Sequence, residues 1–166
     1  MMTPLKPDPQ LAGAMRRALE GDDADAMRML IVSDPEARAL VNAPVAAFDA
    51  PPVVHARSRA MLDVLLEAGA DINGRSRWWA GGFGLLDSAS PDLATYAITR
   101  GAVLTMHAAA RLGWMTELRQ LVEAAPEAVR APGGRWADAA ALRRHDRRGD
   151  LSPRARRRDR RARRGS

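Results

Sequence analysis

The sequence predicts an all-α fold: a solenoid of about four helix-turn-helix repeats with short β-turn fingers, followed by a disordered arginine-rich tail. Three observations predict it. The stretch Met106–Val129 holds two short helical patterns joined at Gly113. In the first, Met106, Ala109 and Ala110 share one face; in the second, Leu118, Leu121 and Val122 do. Such a hairpin cannot bury its apolar sides alone and needs neighbours of its own kind. The chain also echoes itself. Gly69-Ala70-Asp71 returns as Gly101-Ala102-Val103 after 32 residues, and Ser33-Asp34-Pro35-Glu36-Ala37 returns as Ala124-Ala125-Pro126-Glu127-Ala128. Finally, 46% of the 166 residues are hydrophobic and only 4% aromatic, so the core is aliphatic and alanine-rich, suited to closely packed helices.

Residues 1–9 carry three prolines and read as a disordered lead. Leu11–Glu20 is a helical pattern with Leu11, Met15, Ala18 and Leu19 along one side. Gly21-Asp22-Asp23 breaks it, and Asp22 or Asp23 can cap the next helix. Ala24–Val32 follows, with Met27, Leu30 and Ile31 inward, and Asp34-Pro35 ends it. Asn42–Pro52 is a connection. Val53–Ala56 marks a short helix, for which Pro52 suits the first turn. Ser58–Ala68 is the clearest second helix, with Met61, Leu62, Leu65 and Leu66 inward and Gly69 supplying the turn after it. Gly74–Gly82 forms a finger tip. Phe83–Ala89 opens a third pair, and Pro91–Arg100 is its second helix, with Leu93, Ala97 and Ile98 inward. The finger after Gly101 is short, because Met106 arrives at once. Gly113 ends the next helix in a left-handed turn, where glycine costs least.

Two segments carry a resemblance. Met106-His107-Ala108-Ala109-Ala110-Arg111-Leu112-Gly113, with Glu117-Leu118 and Leu121-Val122, resembles the helix pair of an ankyrin repeat. Leu65-Leu66-Glu67-Ala68-Gly69-Ala70-Asp71-Ile72-Asn73 resembles the end of one such repeat and the start of its finger. The resemblance is strong over 58–73 and 106–125, weak over 10–44, and absent in frame after 134. Thr105 stands where the family has proline. The resemblance implies an ankyrin repeat domain over 10–131, with repeats near 10–44, 45–78, 79–104 and 105–131. It gives Gly69, Gly101, His107 and Gly113 structural roles in the repeat turns. His107 is implied to hydrogen-bond within its turn and not to catalyse. It further implies a non-catalytic scaffold that binds a protein partner through finger tips and the inner helices.

Arg75, Arg77, Trp78, Trp79 and Phe83 are the candidate partner-binding residues. Adjacent indoles flanked by arginine and glycine have the chemistry of binding centres. The competing reading has one or both indoles covering the apolar edge of a neighbouring repeat. Trp114 reads as packing between repeats. Chemistry of other kinds is poorly supplied. There is no cysteine and only three histidines, His55, His107 and His145, with no two at metal-ligand spacing on a helix. Gly81-Gly82-Phe83-Gly84 lacks the following lysine and serine or threonine of a phosphate loop. We therefore expect no enzyme, no metal and no cofactor. No run of 18 apolar residues occurs and the start lacks an apolar leader, so no membrane association and a cytoplasmic location are expected.

The charge is divided. Residues 135–166 hold 13 of the 26 basic residues and 4 of the 20 acidic ones, a net of +9, which leaves −3 for residues 1–134. Taken literally, 132–166 is a basic low-complexity tail that would bind nucleic acid or an acidic surface. Trp136 is its only aromatic residue, so base stacking has little to work with. An out-of-frame origin fits better. Trp136 has the single codon TGG and alanine codons begin with G, so a reading one nucleotide later gives glycine. Ala137–Arg143 then permit Gln, Thr, Pro, Leu, His, Phe and Ala, and the phase continues to Ser166 as a further repeat. Nucleotide sequence across Gly133-Gly134 separates the two readings. Loss of that repeat would leave the flank of Met106–Val129 uncovered, prone to fray or to associate weakly with itself; otherwise a monomer is expected.

Overall fold

The computed structural model describes residues 8–79 and 81–127; the readings for 1–7 and for 128–166, tail and displaced frame included, lie outside the described residues. The fold is all-α. Its helices are α1 (Pro9–Glu20), α2 (Ala24–Ser33), α3 (Pro35–Ala39), α4 (Arg59–Glu67), α5 (Pro91–Thr99), α6 (Met106–Leu112) and α7 (Met115–Ala124). Single 3-10 turns at Pro52–His55 and Leu85–Asp87 precede α4 and α5. The chain thus runs in pairs: α1 with α2, the 52–55 turn with α4, the 85–87 turn with α5, and α6 with α7. The first members pack in one row, α1 on the 52–55 turn, that turn on the 85–87 turn, and the latter on α6. The second members form another row, α2 on α4 and α4 on α5.

Local chemistry sets the helix starts. The side chains of Asp8, Asp23, Asp34, Ser58, Ser90 and Thr105 each accept a hydrogen bond from a backbone N–H of the first turn that follows. Pro9, Pro35 and Pro91 occupy first-turn positions, where the missing N–H costs nothing. Gly113 ends α6 with φ +73°, and Gly69 and Gly101 follow α4 and α5 with φ +95° and +102°. These are left-handed conformations that a β-carbon opposes.

Several sequence expectations need correction. The helix expected from Leu11 begins at Pro9, because Asp8 caps it, so the lead is shorter than 1–9. Asp34-Pro35 ends α2 but also starts α3, with Asp34 as its cap. Val64 and Ala94 are buried where Leu66 and Ile98 were expected to be. α4 lies between α2 and α5, and α5 between α4 and the 85–87 turn, so each buries more than one stripe. In α6 the buried pair is Ala108 and Ala109, while Ala110 is exposed and Met106 half-buried. The core runs through both rows, and Met15, Met27, Met61, Leu62, Leu65, Val53, Val54 and Leu85 are fully enclosed.

A polar ladder joins successive pairs. The Asn42 amide donates to the Gly69 carbonyl at 2.9 Å and accepts from the Asp71 N–H at 2.7 Å. Asn73 repeats the device with the Gly101 carbonyl at 3.1 Å and the Val103 N–H at 2.8 Å. Each asparagine therefore fixes the turn that follows the next second-row helix. Asn73→Ala is expected to lower stability by about 1 kcal/mol, since the freed groups are exposed and water takes up part of the loss. Asn42→Ala should cost a similar amount, and the two should add. Urea midpoints of the single and double variants measure this; an unchanged midpoint for Asn73→Ala refutes the ladder's role.

Candidate functional site

The two fingers are built differently and meet. In the first, Ala46 and Ala50 form an antiparallel bridge, with the Ala46 N–H donating to the Ala50 carbonyl at 3.0 Å. Its tip puts Phe48 at φ +61° and Asp49 at φ +51°. Aspartate tolerates that region, but for phenylalanine it costs about 1–2 kcal/mol. In the second finger Arg75 bridges Gly84, and the Ser76 N–H donates to the Phe83 carbonyl at 2.8 Å. A β-carbon on Gly82 would lie 2.7 Å from the Ser76 carbonyl oxygen, so only glycine lets the strands approach this closely. The Arg77 N–H donates to the Asp49 carbonyl at 3.0 Å and ties finger to finger.

This tie assembles an aromatic cluster. The Phe48 ring lies 5.4 Å from Trp78 and 5.8 Å from Phe83, both edge-to-face, and stacks over His55 at 6.5 Å. Trp78 in turn meets Trp79 at 6.1 Å and Phe83 at 6.5 Å. Phe83 is buried and Trp78 half-buried, whereas Phe48 is 47% and Trp79 90% exposed. Phe83 was expected on the binding surface; burial makes it the floor of the cluster. The two indoles divide between the competing readings, Trp78 packing against the core and Trp79 standing in solvent. His55 Nε2 lies 3.0 Å from the Ala47 carbonyl, to which it donates when protonated there.

The arginines divide too. Arg75 donates to the Gly82 carbonyl and lies 3.8 Å from the buried Asp87 carboxylate, which itself accepts from the Gly84 N–H at 2.8 Å. It braces the finger from within. Arg77 is exposed, with no carboxylate in salt-bridge range among the described residues. A shallow hollow of about 50 Å³ adjoins the first finger, edged by Arg16, Glu20, His55 and Arg57. Apolar ring faces beside cationic edges suit recognition of another molecule. Among the described residues no three His, Cys, Asp or Glu side chains are grouped to hold a metal ion.

His107 is half-buried at the start of α6; the turn hydrogen bond that the structure holds belongs to His55. Trp114 is half-buried against the core ahead of α7. Phe48 was missed by sequence reading. It stands 30 residues before Trp78, close to the repeat spacing, and that was the signal available.

A second cluster lies on the other row. The Tyr96 hydroxyl donates to Asp63 at 2.6 Å, the Arg100 guanidinium lies 3.5 Å from the same carboxylate, and Arg59 lies 5.1 Å over the tyrosine ring. The hydrogen bond to Asp63, followed by desolvation, raises the Tyr96 pKa above its ordinary value of 10.0. The folded state then holds this proton more tightly than the unfolded state. Its stabilising contribution is complete below pH 10.0 and is lost as pH rises through the folded value. Tyr96 is the only tyrosine, so phenolate absorbance reports it alone. Asp63→Asn should move that titration downward; an unmoved curve contradicts the assignment.

Compared with protein-family models, curated proteins and solved structures, the chain gives no match. No helix of the described residues is long and apolar enough to cross a membrane.

Proposed function

We propose that this chain is a non-catalytic scaffold of ankyrin-repeat type that binds a protein partner through the aromatic ridge of its fingers. The repeat-type reading draws on the motifs at 58–73 and 106–125, the two helix rows and the recurring asparagine ladder. One observation carries the binding reading. Trp79 stands 90% exposed against Trp78, and Trp78 also meets Phe48, which is held in a strained left-handed conformation while nearly half exposed. Strain at a solvent-facing aromatic persists only where the surroundings enforce it, and it is a mark of functional positions. Tryptophan and arginine are enriched among the residues that carry most of the energy of protein recognition. In this reading the protein acts in the cytoplasm and needs no cofactor.

Panning a displayed library of random peptides against the full chain tests the proposal. Peptides enriched on the native protein should be lost on Trp79→Ala. Enrichment that survives in Trp79→Ala, or none at all, overturns it. Acidic peptides that survive the variant and fall away steeply with salt would transfer the binding role to the arginines of 135–166.

A further inference from the structure

Among the described residues, no helix pair covers either end of the stack. At the N-terminal end α1 and α2 enclose an open groove of about 740 Å³, lined by Leu11, Ala14, Ala26, Met29 and Leu30. Met29 is 66% exposed within it. Arg17, Asp23 and Asp34 stand along its margin. At the C-terminal end α7 buries none of its residues. Met115 is 55% exposed, and Leu118, Leu121 and Val122 are only half-buried. These four recur at helical spacing and form an apolar ridge about 10 Å long. Glu117, Arg119 and Glu123 are exposed on the same helix, so both surfaces mix charges of both signs around an apolar centre.

The stacking already present within the chain indicates what fits there. In the middle of the stack each second-row helix packs on the one before it, α4 on α2 and α5 on α4, while α7 packs on α6. In a periodic stack the face that a pair offers forward complements the face that a pair offers backward. The groove of the first pair is a backward face with no described pair before it, and the ridge of α7 is a forward face, since Leu118 and Leu121 are half-buried at the places that Leu62 and Leu65 hold, fully enclosed, in α4. We infer that a second copy of this chain occupies the groove, its α7 ridge seated between α1 and α2, head to tail. The contact uses different surfaces on the two copies, so it does not close on itself, and each addition leaves a groove and a ridge free. It needs neither finger and is independent of the proposed binding function.

Sedimentation velocity of the full chain over a wide concentration range tests this. The average mass should climb with concentration without levelling at the dimer. Met29→Glu spoils the groove and Met115→Glu the ridge; both residues are exposed, so both variants should fold. Each alone should weaken association at least ~10-fold, about 1.4 kcal/mol. Mixed, they should form a one-to-one complex and stop there, because the first retains a ridge and the second a groove. Trp79→Ala run alongside should associate like the native chain. A protein that stays monomeric, a variant that still associates, or a mixture that fails to pair overturns the inference. The first of these results would mean that the chain's own residues beyond 127, or nothing, cover the ends.

Discussion

Leu65→Ala is expected to lower the unfolding free energy by about 3 kcal/mol, the middle of the range for emptying a leucine site that cannot collapse. Leu65 is fully enclosed in α4, which is held between α2 on one side and α5 on the other. Its core neighbours Met61 and Leu62 are themselves fully enclosed, so little can move in to fill the space. A loss of that size is a large part of the roughly 5–15 kcal/mol that a domain has. The melting temperature should fall by on the order of 10 °C. The location matters as much as the size. A stack holds together through nearest-neighbour contacts, and among the described elements α4 belongs to the pair between α1–α2 and the pairs of α5, α6 and α7. Loosening it should uncouple the two sides, so that urea unfolding broadens and hydrogen exchange at α6 and α7 rises before exchange at α1. Leu66→Ala is the control, half-buried and expected to cost about 1 kcal/mol. A Leu65→Ala loss no larger than that of Leu66→Ala would mean that α4 is not the keystone of the stack.

The same helix shows what sequence could and could not supply. Ser58–Ala68, with Met61, Leu62, Leu65 and Leu66 inward, reads as a helix with one apolar stripe, because helical spacing is local. Val64 lies off that stripe and is buried only because α4 has neighbours on two sides. The first members of the middle pairs were legible as short helices, but Pro51-Pro52 and the glycines around Phe83 leave room for one 3-10 turn in each. The finger cluster was half legible. Trp78 and Trp79 stand out in any reading, whereas their packing depends on Phe48 in another finger. The tie between the fingers is a backbone bond, from Arg77 N–H to the Asp49 carbonyl, which no side-chain pattern announces. The exposure of Trp79 against the half-burial of Trp78 likewise follows from which indole faces Phe83, a matter of finger geometry and not of residue type.

That division makes the second large prediction. Trp79→Ala should leave stability within about 0.5 kcal/mol of native, because almost nothing covers the side chain. It should nevertheless weaken binding of a panned peptide about 100-fold, as removal of a tryptophan anchor does. Trp78→Ala should do the reverse in part. It loses edge-to-face contacts with Phe48 and Phe83, about 0.5–1.5 kcal/mol beyond buried area, and should cost about 2 kcal/mol of stability while also weakening binding. Phe48→Gly separates the two effects further. Glycine adopts φ +61° without penalty, so part of the lost packing is regained as relieved strain, and the fold should suffer less than in Trp78→Ala. Binding should still fall, because the ridge has lost a ring. Urea unfolding and calorimetric titration of the three variants with one panned peptide measure both quantities. If Phe48→Gly and Trp79→Ala both bind as the native chain does, then Phe48 is strained for the sake of the finger's own geometry and the indole is exposed without use. If both lose binding while folding normally, the strain and the exposure serve one surface.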